Sequence, residues 1–183
     1  MSIENVHYFN ILVGLGAIVL QGISVIALLL LLFKNRKNAF FTLIEKNFLT
    51  IGFVVALAAS LISLFYSDVI GFPPCHLCWL QRIFLYPLVF IFGMAIWTKD
   101  RKVLRYVAPL LIVGAVIAVY HNIGYYFGET GSGPCDATGV SCYQHLVSEF
   151  GGYISIPMLS LTAFFALLTL CLVVHFQGKE QYS

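Results

Sequence analysis

The stretch Cys75–Lys99, CHLCWLQRIFLYPLVFIFGMAIWTK, decides how many times this chain crosses a membrane. Only 16 uncharged residues separate Arg82 from Lys99, whereas a helix needs about 20 apolar residues to cross the hydrocarbon core. Starting the helix near Cys75 or Cys78 supplies the missing length and places Arg82 inside it, about one turn from the end. The segment then counts as a spanning helix. The others are plain, since nothing charged occurs between Glu4 and Lys34, Lys46 and Asp68, Arg105 and Glu129, or Glu149 and Lys179. These gaps predict helices near 9–33, 48–67, 104–126 and 154–176, which makes five in all.

Composition agrees. Of 183 residues, 60% are hydrophobic and 10% charged, against roughly 25% charged in a soluble domain. A soluble fold of about 150 residues buries only about 70% of its chain surface, too little to hide this much apolar side chain. A water-soluble enzyme is excluded, as are a disordered chain and a small disulfide-stapled fold. The net charge of +2 gives no reason to expect nucleic acid. The expected class is an all-α integral membrane protein.

Orientation follows from the basic residues. Lys34, Arg36, Lys37 and Lys46 separate helices one and two; Lys99, Arg101, Lys102 and Arg105 separate three and four; Lys179 is in the tail. With five helices, nine of the ten fall on one side, the cytoplasmic one, and only Arg82 is left toward the other. The N-terminus and two Gly/Pro-containing loops are then outside. No basic region or cleavage site precedes helix one, so it does not read as a removable signal. The expected division is an N-terminal helix and cytoplasmic loop over 1–46, a main domain over 47–178 and a short tail over 179–183.

Four of the five cysteines fall in the outer loops: Cys75 and Cys78 in the first, Cys135 and Cys142 in the second. Outside the cytoplasm is where disulfides persist. Cys75 and Cys78 follow Pro73-Pro74 and open a helix, where unpaired backbone N–H groups and the helix dipole favour a thiolate. Only a thiolate attacks a disulfide, so this setting suits a redox pair. Cys75, Cys78 and Arg82 are spaced i, i+3 and i+7 and share one helical face. An arginine at membrane depth is costly, and its charge would stabilise a thiolate or a developing oxyanion on a bound acceptor. The competing reading of Arg82 is a topological anchor that snorkels to the interface.

Other readings of the cysteines remain open at this point. Two structural disulfides would brace the loops, although a C-x-x-C bridge closes too small a loop to stabilise much. A zinc site could use all four, but C-x6-C is not a usual finger spacing. A c-type haem site fails because Trp79 occupies the position of the required histidine. The second pair lies in the Gly-rich run G-S-G-P-C-D-A-T-G-V-S-C, which suits sulfurs that must approach one another in line. The Y-Q-H-L-V-S-E-F that follows Cys142 suits a short amphipathic turn on the membrane surface. His121, near the outer end of helix four, is balanced between interface packing and proton handling. His76, between the first two sulfurs, is a candidate to assist thiolate formation. Cys171, deep in helix five, reads as a small buried hydrophobe. Tyr66, Phe72, Trp79, Tyr125, Tyr126, Tyr143 and Tyr153 read as an interfacial aromatic belt.

The run F-P-P-C-H-L-C-W-L-Q-R with the following Y-P, then Y-H-N ahead of the second cysteine loop, resembles the DsbB/BdbC disulfide bond formation proteins, most closely the shorter-looped BdbC type. The resemblance covers about 48–176. It implies an antiparallel four-helix bundle over those residues, to which helix one is an addition. It also implies a membrane thiol:quinone oxidoreductase that reoxidises a thioredoxin-fold dithiol oxidase (DsbA/BdbD-like) outside the bacterial cytoplasmic membrane. Electrons would pass to ubiquinone or menaquinone, with no metal. By resemblance, Cys135 and Cys142 are the pair that exchanges with the partner, with Cys135 forming the mixed disulfide. Cys75 and Cys78 pass electrons on, with Cys78 facing the quinone, and Arg82 and His121 line the quinone site. A vitamin-K-epoxide-reductase-like enzyme is the nearest rival, but there the C-x-x-C sits late in the bundle. A non-catalytic membrane protein with braced loops is the rival of another class.

Overall fold

The structure, a computed structural model, describes residues 3–33, 39–127, 142 and 147–180. Cys135 and Tyr143, with most of the second cysteine loop, lie outside the described residues. Five helices account for nearly everything else: α1 (Ile3–Leu32), α2 (Ala39–Leu64, continued by a π-helical turn Phe65–Val69), α3 (His76–Thr98), α4 (Leu104–Phe127) and α5 (Ile156–Glu180). Each contains a stretch long and apolar enough to span a membrane, so this is an all-α multi-pass membrane protein.

Where helix ends differ from expectation, the cause is the same. α2 begins at Ala39 rather than 48, taking Glu45 and Lys46 into the helix, and α5 runs on to Glu180. Charged ends of a spanning helix reach the headgroup region, where the helix continues without an apolar sequence. There Glu45 accepts a hydrogen bond from Arg101 at 3.2 Å, tying the start of α2 to the α3–α4 connection. Lys99 closes α3 in a left-handed conformation (φ 53°). At the other end Ser155 Oγ accepts from the Met158 backbone N–H, opening α5 with a serine cap.

α2 packs on α3 and α5, α4 packs on α3 and α5, and the four close a ring; α1 lies outside it, along α5. Phe92, Val107, Leu111, Phe164 and Leu167 are fully buried in the bundle core, and Cys171 packs in the same cluster. Lipid is as apolar as the side chains it would replace, so close packing with small residues holds such a bundle together. Gly52 admits the Phe92 ring, which a Cβ there would meet at 2.7 Å, and Gly114 admits Phe164 still more tightly.

Candidate active site

Pro73-Pro74 delivers the chain to Cys75, which is the N-cap of α3: its Sγ accepts the Cys78 backbone N–H at 3.2 Å. A cap side chain that binds the N–H three residues on is the ordinary solution for a helix start, here made by a thiol in place of a hydroxyl. The Sγ atoms of Cys75 and Cys78 and a ring nitrogen of His121 all lie within 4.8 Å of one another. Cys75 and Cys78 are not bridged to one another.

The expectation that the helix start favours a thiolate does not hold for Cys75. Its hydrogen bond with the Cys78 thiol, followed by burial, pushes the Cys75 thiol from 9.0 up to about 12, against the lowering influence of His121. Desolvation and a neighbour that accepts its proton outweigh the dipole of one helix.

His121, on α4, is 1% exposed and joins the two cysteine segments. Gln81 Nε2 donates to its Nδ1 at 3.2 Å, and its Nε2 donates to the Cys142 carbonyl at 2.9 Å. The tautomer protonated on Nε2 satisfies both partners. Cys75 Sγ lies 3.9 Å from that same Nε2. His121 therefore does more than pack at the interface.

Arg82 is 8% exposed, its guanidinium turned into the bundle rather than out to the surface. Its Nε donates to Ser63 Oγ at 2.9 Å and its Nη2 to the Ser63 carbonyl at 2.8 Å, both on α2. The guanidinium also sits 5.2 Å from the centre of the Trp79 ring. A planar fork that satisfies two acceptors on a neighbouring helix is how an arginine is held at this depth.

Cys75, Cys78, Gln81, Arg82, His121 and Cys142 all face one cavity of about 400 Å³. Its remaining walls are mainly apolar and come from α1, α2 and α5, Leu12, Val54 and Leu159 among them. This size is within the range of small-molecule sites. Two thiols and an imidazole could also hold a thiophilic metal ion, one ligand short of a structural zinc site.

Sequence reading missed Gln81 and Ser63, which carry no charge and act across a helix interface. The available signal was a polar side chain inside a spanning helix. Two residues of the expected aromatic belt, Tyr66 and Tyr125, need correction. Tyr66 and Tyr125 are buried, Tyr66 donating to Asn10 Oδ1 (2.8 Å) and Tyr125 to the Val147 carbonyl (3.1 Å), while Tyr153 donates to Gln21 Oε1. The Tyr66 and Tyr125 hydroxyls tie segments together inside the bundle, while Trp79, Tyr126 and Tyr153 are exposed.

A dithiol, a histidine and an arginine gathered on one cavity among five apolar helices define a helical membrane protein with a thiol centre. The family model described as disulfide bond formation protein DsbB matches residues 45–174. "Probable disulfide formation protein C 2" of Bacillus anthracis is 39% identical over 139 residues, which is 76% of this chain and 98% of that relative. "Disulfide bond formation protein C" of Bacillus subtilis is 43% identical over 128 residues, 69% of this chain and 91% of that relative. No solved structure matches significantly. The chain belongs to the DsbB family of disulfide bond formation proteins, and that membership implies a disulfide-forming oxidoreductase.

Proposed function

We propose that this protein reoxidises a thioredoxin-fold dithiol oxidase outside the bacterial cytoplasmic membrane and passes two electrons to a membrane quinone. One observation carries the reading: Cys75, Cys78, His121, Arg82 and Cys142 converge on one cavity whose other walls are mainly apolar. That contrast fits a quinone, whose ring is polar and whose tail is not. Arg82 and His121 would hold the ring. A bound quinone accepts two electrons and two protons.

The chain's own residues do the rest. A thiolate of the reduced partner attacks Cys135 of the Cys135–Cys142 disulfide, giving a mixed disulfide and releasing Cys142. The partner's second thiol resolves it and leaves oxidised, so Cys135 and Cys142 are now both thiols. These reduce the Cys75–Cys78 disulfide in turn, and the resulting dithiol loses its two electrons and two protons to the acceptor as its disulfide re-forms. His121 lies between Cys142 and Cys75, placed to hold a proton as sulfurs change state. Arg82 supplies fixed positive charge to the side of the dithiol that faces the cavity.

The test is anaerobic quinone reduction with a reduced thioredoxin-fold oxidase as donor, on wild type and Cys78→Ser. Reduction by wild type and its loss in Cys78→Ser are expected. Undiminished thiol-dependent reduction by Cys78→Ser would overturn the proposal.

A further inference from the structure

Helix α1 precedes residues 45–174, the segment that the family shares, and among the described residues it packs chiefly on α5, with ties to α2 and its π-helical turn near its two ends. At the end nearest the cysteines, Asn10 accepts from Tyr66 and the Phe9 ring lies 4.4 Å from that of Phe65. At the opposite end, Ala27 and Leu31 bury themselves with Phe41 and Val173. Between these ties α1 leans on α5, where Gln21 Nε2 donates to Thr162 Oγ1 at 2.6 Å. There Leu12 and Gly16 on α1, with Val54 and Ala58 on α2, line the cavity. Leu12 is 70% exposed and Val54 54%, so the cavity opens sideways onto the surface that lipid covers.

We infer that the gap between α1 and α2 is a lateral window in which the isoprenoid tail of the quinone lies, with α1 as its outer jamb. The inference rests on the proposed function and says where the acceptor enters. From Ser67 to Val54 the α2 wall rises about 20 Å at about 1.5 Å per residue. That length takes a ring at the dithiol and the first units of a tail below it. The walls along this stretch offer apolar side chains and small residues, which suit a chain recognised by shape. A phospholipid acyl chain has the same chemistry, and tail-length dependence separates the two sources.

Gly16 is the place to test it. A Cβ there meets nothing within 4 Å, so a larger side chain is admitted by the backbone and projects into open space at the window. Gly22, on the same helix, is equally open but is not part of the cavity wall, and Gly22→Phe is the control. Full-length wild type, Gly16→Phe, Ala58→Phe and Gly22→Phe are purified, and the quinone retained by each is extracted and quantified. Binding of a long-tailed and a tail-less quinone is then followed by tryptophan fluorescence. Gly16→Phe and Ala58→Phe are expected to weaken long-tailed quinone about tenfold, the equivalent of about two methylene groups losing their burial. Tail-less quinone should bind all three variants as it binds wild type. The thermal midpoint in detergent, measured for every variant, shows that each has folded, and partner oxidation without quinone should be intact in Gly22→Phe. If Gly16→Phe and Ala58→Phe bind the long-tailed quinone as wild type does, or if tail length has no effect on any protein, the window is not a tail site. If wild type itself binds no quinone of either kind, the proposed function fails and the window with it.

Discussion

Replacing Arg82 by lysine keeps the charge and removes the fork. Arg82 makes two hydrogen bonds to one residue, at 2.9 Å to Ser63 Oγ and 2.8 Å to the Ser63 carbonyl. A lysine ammonium at the end of a flexible stem cannot reproduce both in the same plane. A hydrogen bond to a charged group contributes about 1.5–3 kcal/mol, so loss of one should misplace the cation and weaken quinone binding about 10- to 100-fold. Ser63→Ala removes only the hydroxyl acceptor and leaves the carbonyl bond, so a smaller loss, about fivefold, is expected from about 1 kcal/mol. The double variant should lose less than the product of the two, because the lysine no longer depends on the hydroxyl. The assay is the apparent KM for quinone under anaerobic turnover, with the thermal midpoint in detergent as a check on folding. Partner oxidation in a single turnover without quinone should be unchanged. Wild-type KM in Arg82→Lys, or full additivity in the double variant, would refute the idea that the two-point grip on Ser63 positions the charge.

Three other outcomes test the geometry. Gln81→Leu leaves His121 Nδ1 buried without its donor; about 1–3 kcal/mol of stability should be lost and electron transfer between the cysteine pairs slowed, whereas an unchanged thermal midpoint and rate would show that the contact is incidental. Gly114→Ala drives a Cβ into the Phe164 ring and Gly52→Ala one into Phe92, so each should lower stability by about 1–3 kcal/mol, while Gly16→Ala should be neutral or stabilising; equal behaviour of the three in a detergent melt would contradict the packing. Cys75, with its thiol raised from 9.0 to about 12, should hold about a thousandfold less thiolate near neutral pH than an unperturbed thiol. Its alkylation, located by mass spectrometry on the reduced protein, should keep climbing about tenfold per pH unit through pH 10. A plateau at pH 9 would show an ordinary thiol.

The helix count was legible because charge is so costly in lipid that its absence marks four of the five spans, and the fifth followed from its length once Arg82 was taken inside it. Arg82 stood out for the same reason, and the i, i+3, i+7 spacing put it on the face of the two sulfurs. Helix limits were not legible at their charged ends, as Glu45 and Lys46 show. His121 was half legible: its depth followed from its place in α4, but its partners come from α3 and the second cysteine loop. Gln81, Ser63 and Asn10 were silent, since an uncharged polar residue in a spanning helix does not announce which neighbour will satisfy it. Nor did the sequence reveal how α1 docks. A helix that is apolar all round lacks the stripe that tells a soluble helix which face to bury. Only small local details, such as Gly16 at the window and Gln21 against Thr162, record the choice.

The division of labour proposed for the two sulfurs of C-H-L-C turns on where the helix starts. Cys75 precedes the first turn, so its sulfur is drawn back onto the Cys78 backbone N–H and lies beside His121, whose other contact is the Cys142 carbonyl. A thiol that keeps its proton is a poor nucleophile, and in the oxidised pair attack on Cys75 would release Cys78 as the leaving thiolate. Cys78 is one turn further along and shares the cavity wall with Arg82. On the proposed route, electrons arrive at Cys75 and leave from Cys78 without either sulfur having to cross the helix. Moving the helix start by one residue would rotate both sulfurs by about 100° about the axis, and the N-cap would no longer be a thiol. Pro73-Pro74 precedes that start, so on the proposed route it also sets which sulfur meets which partner.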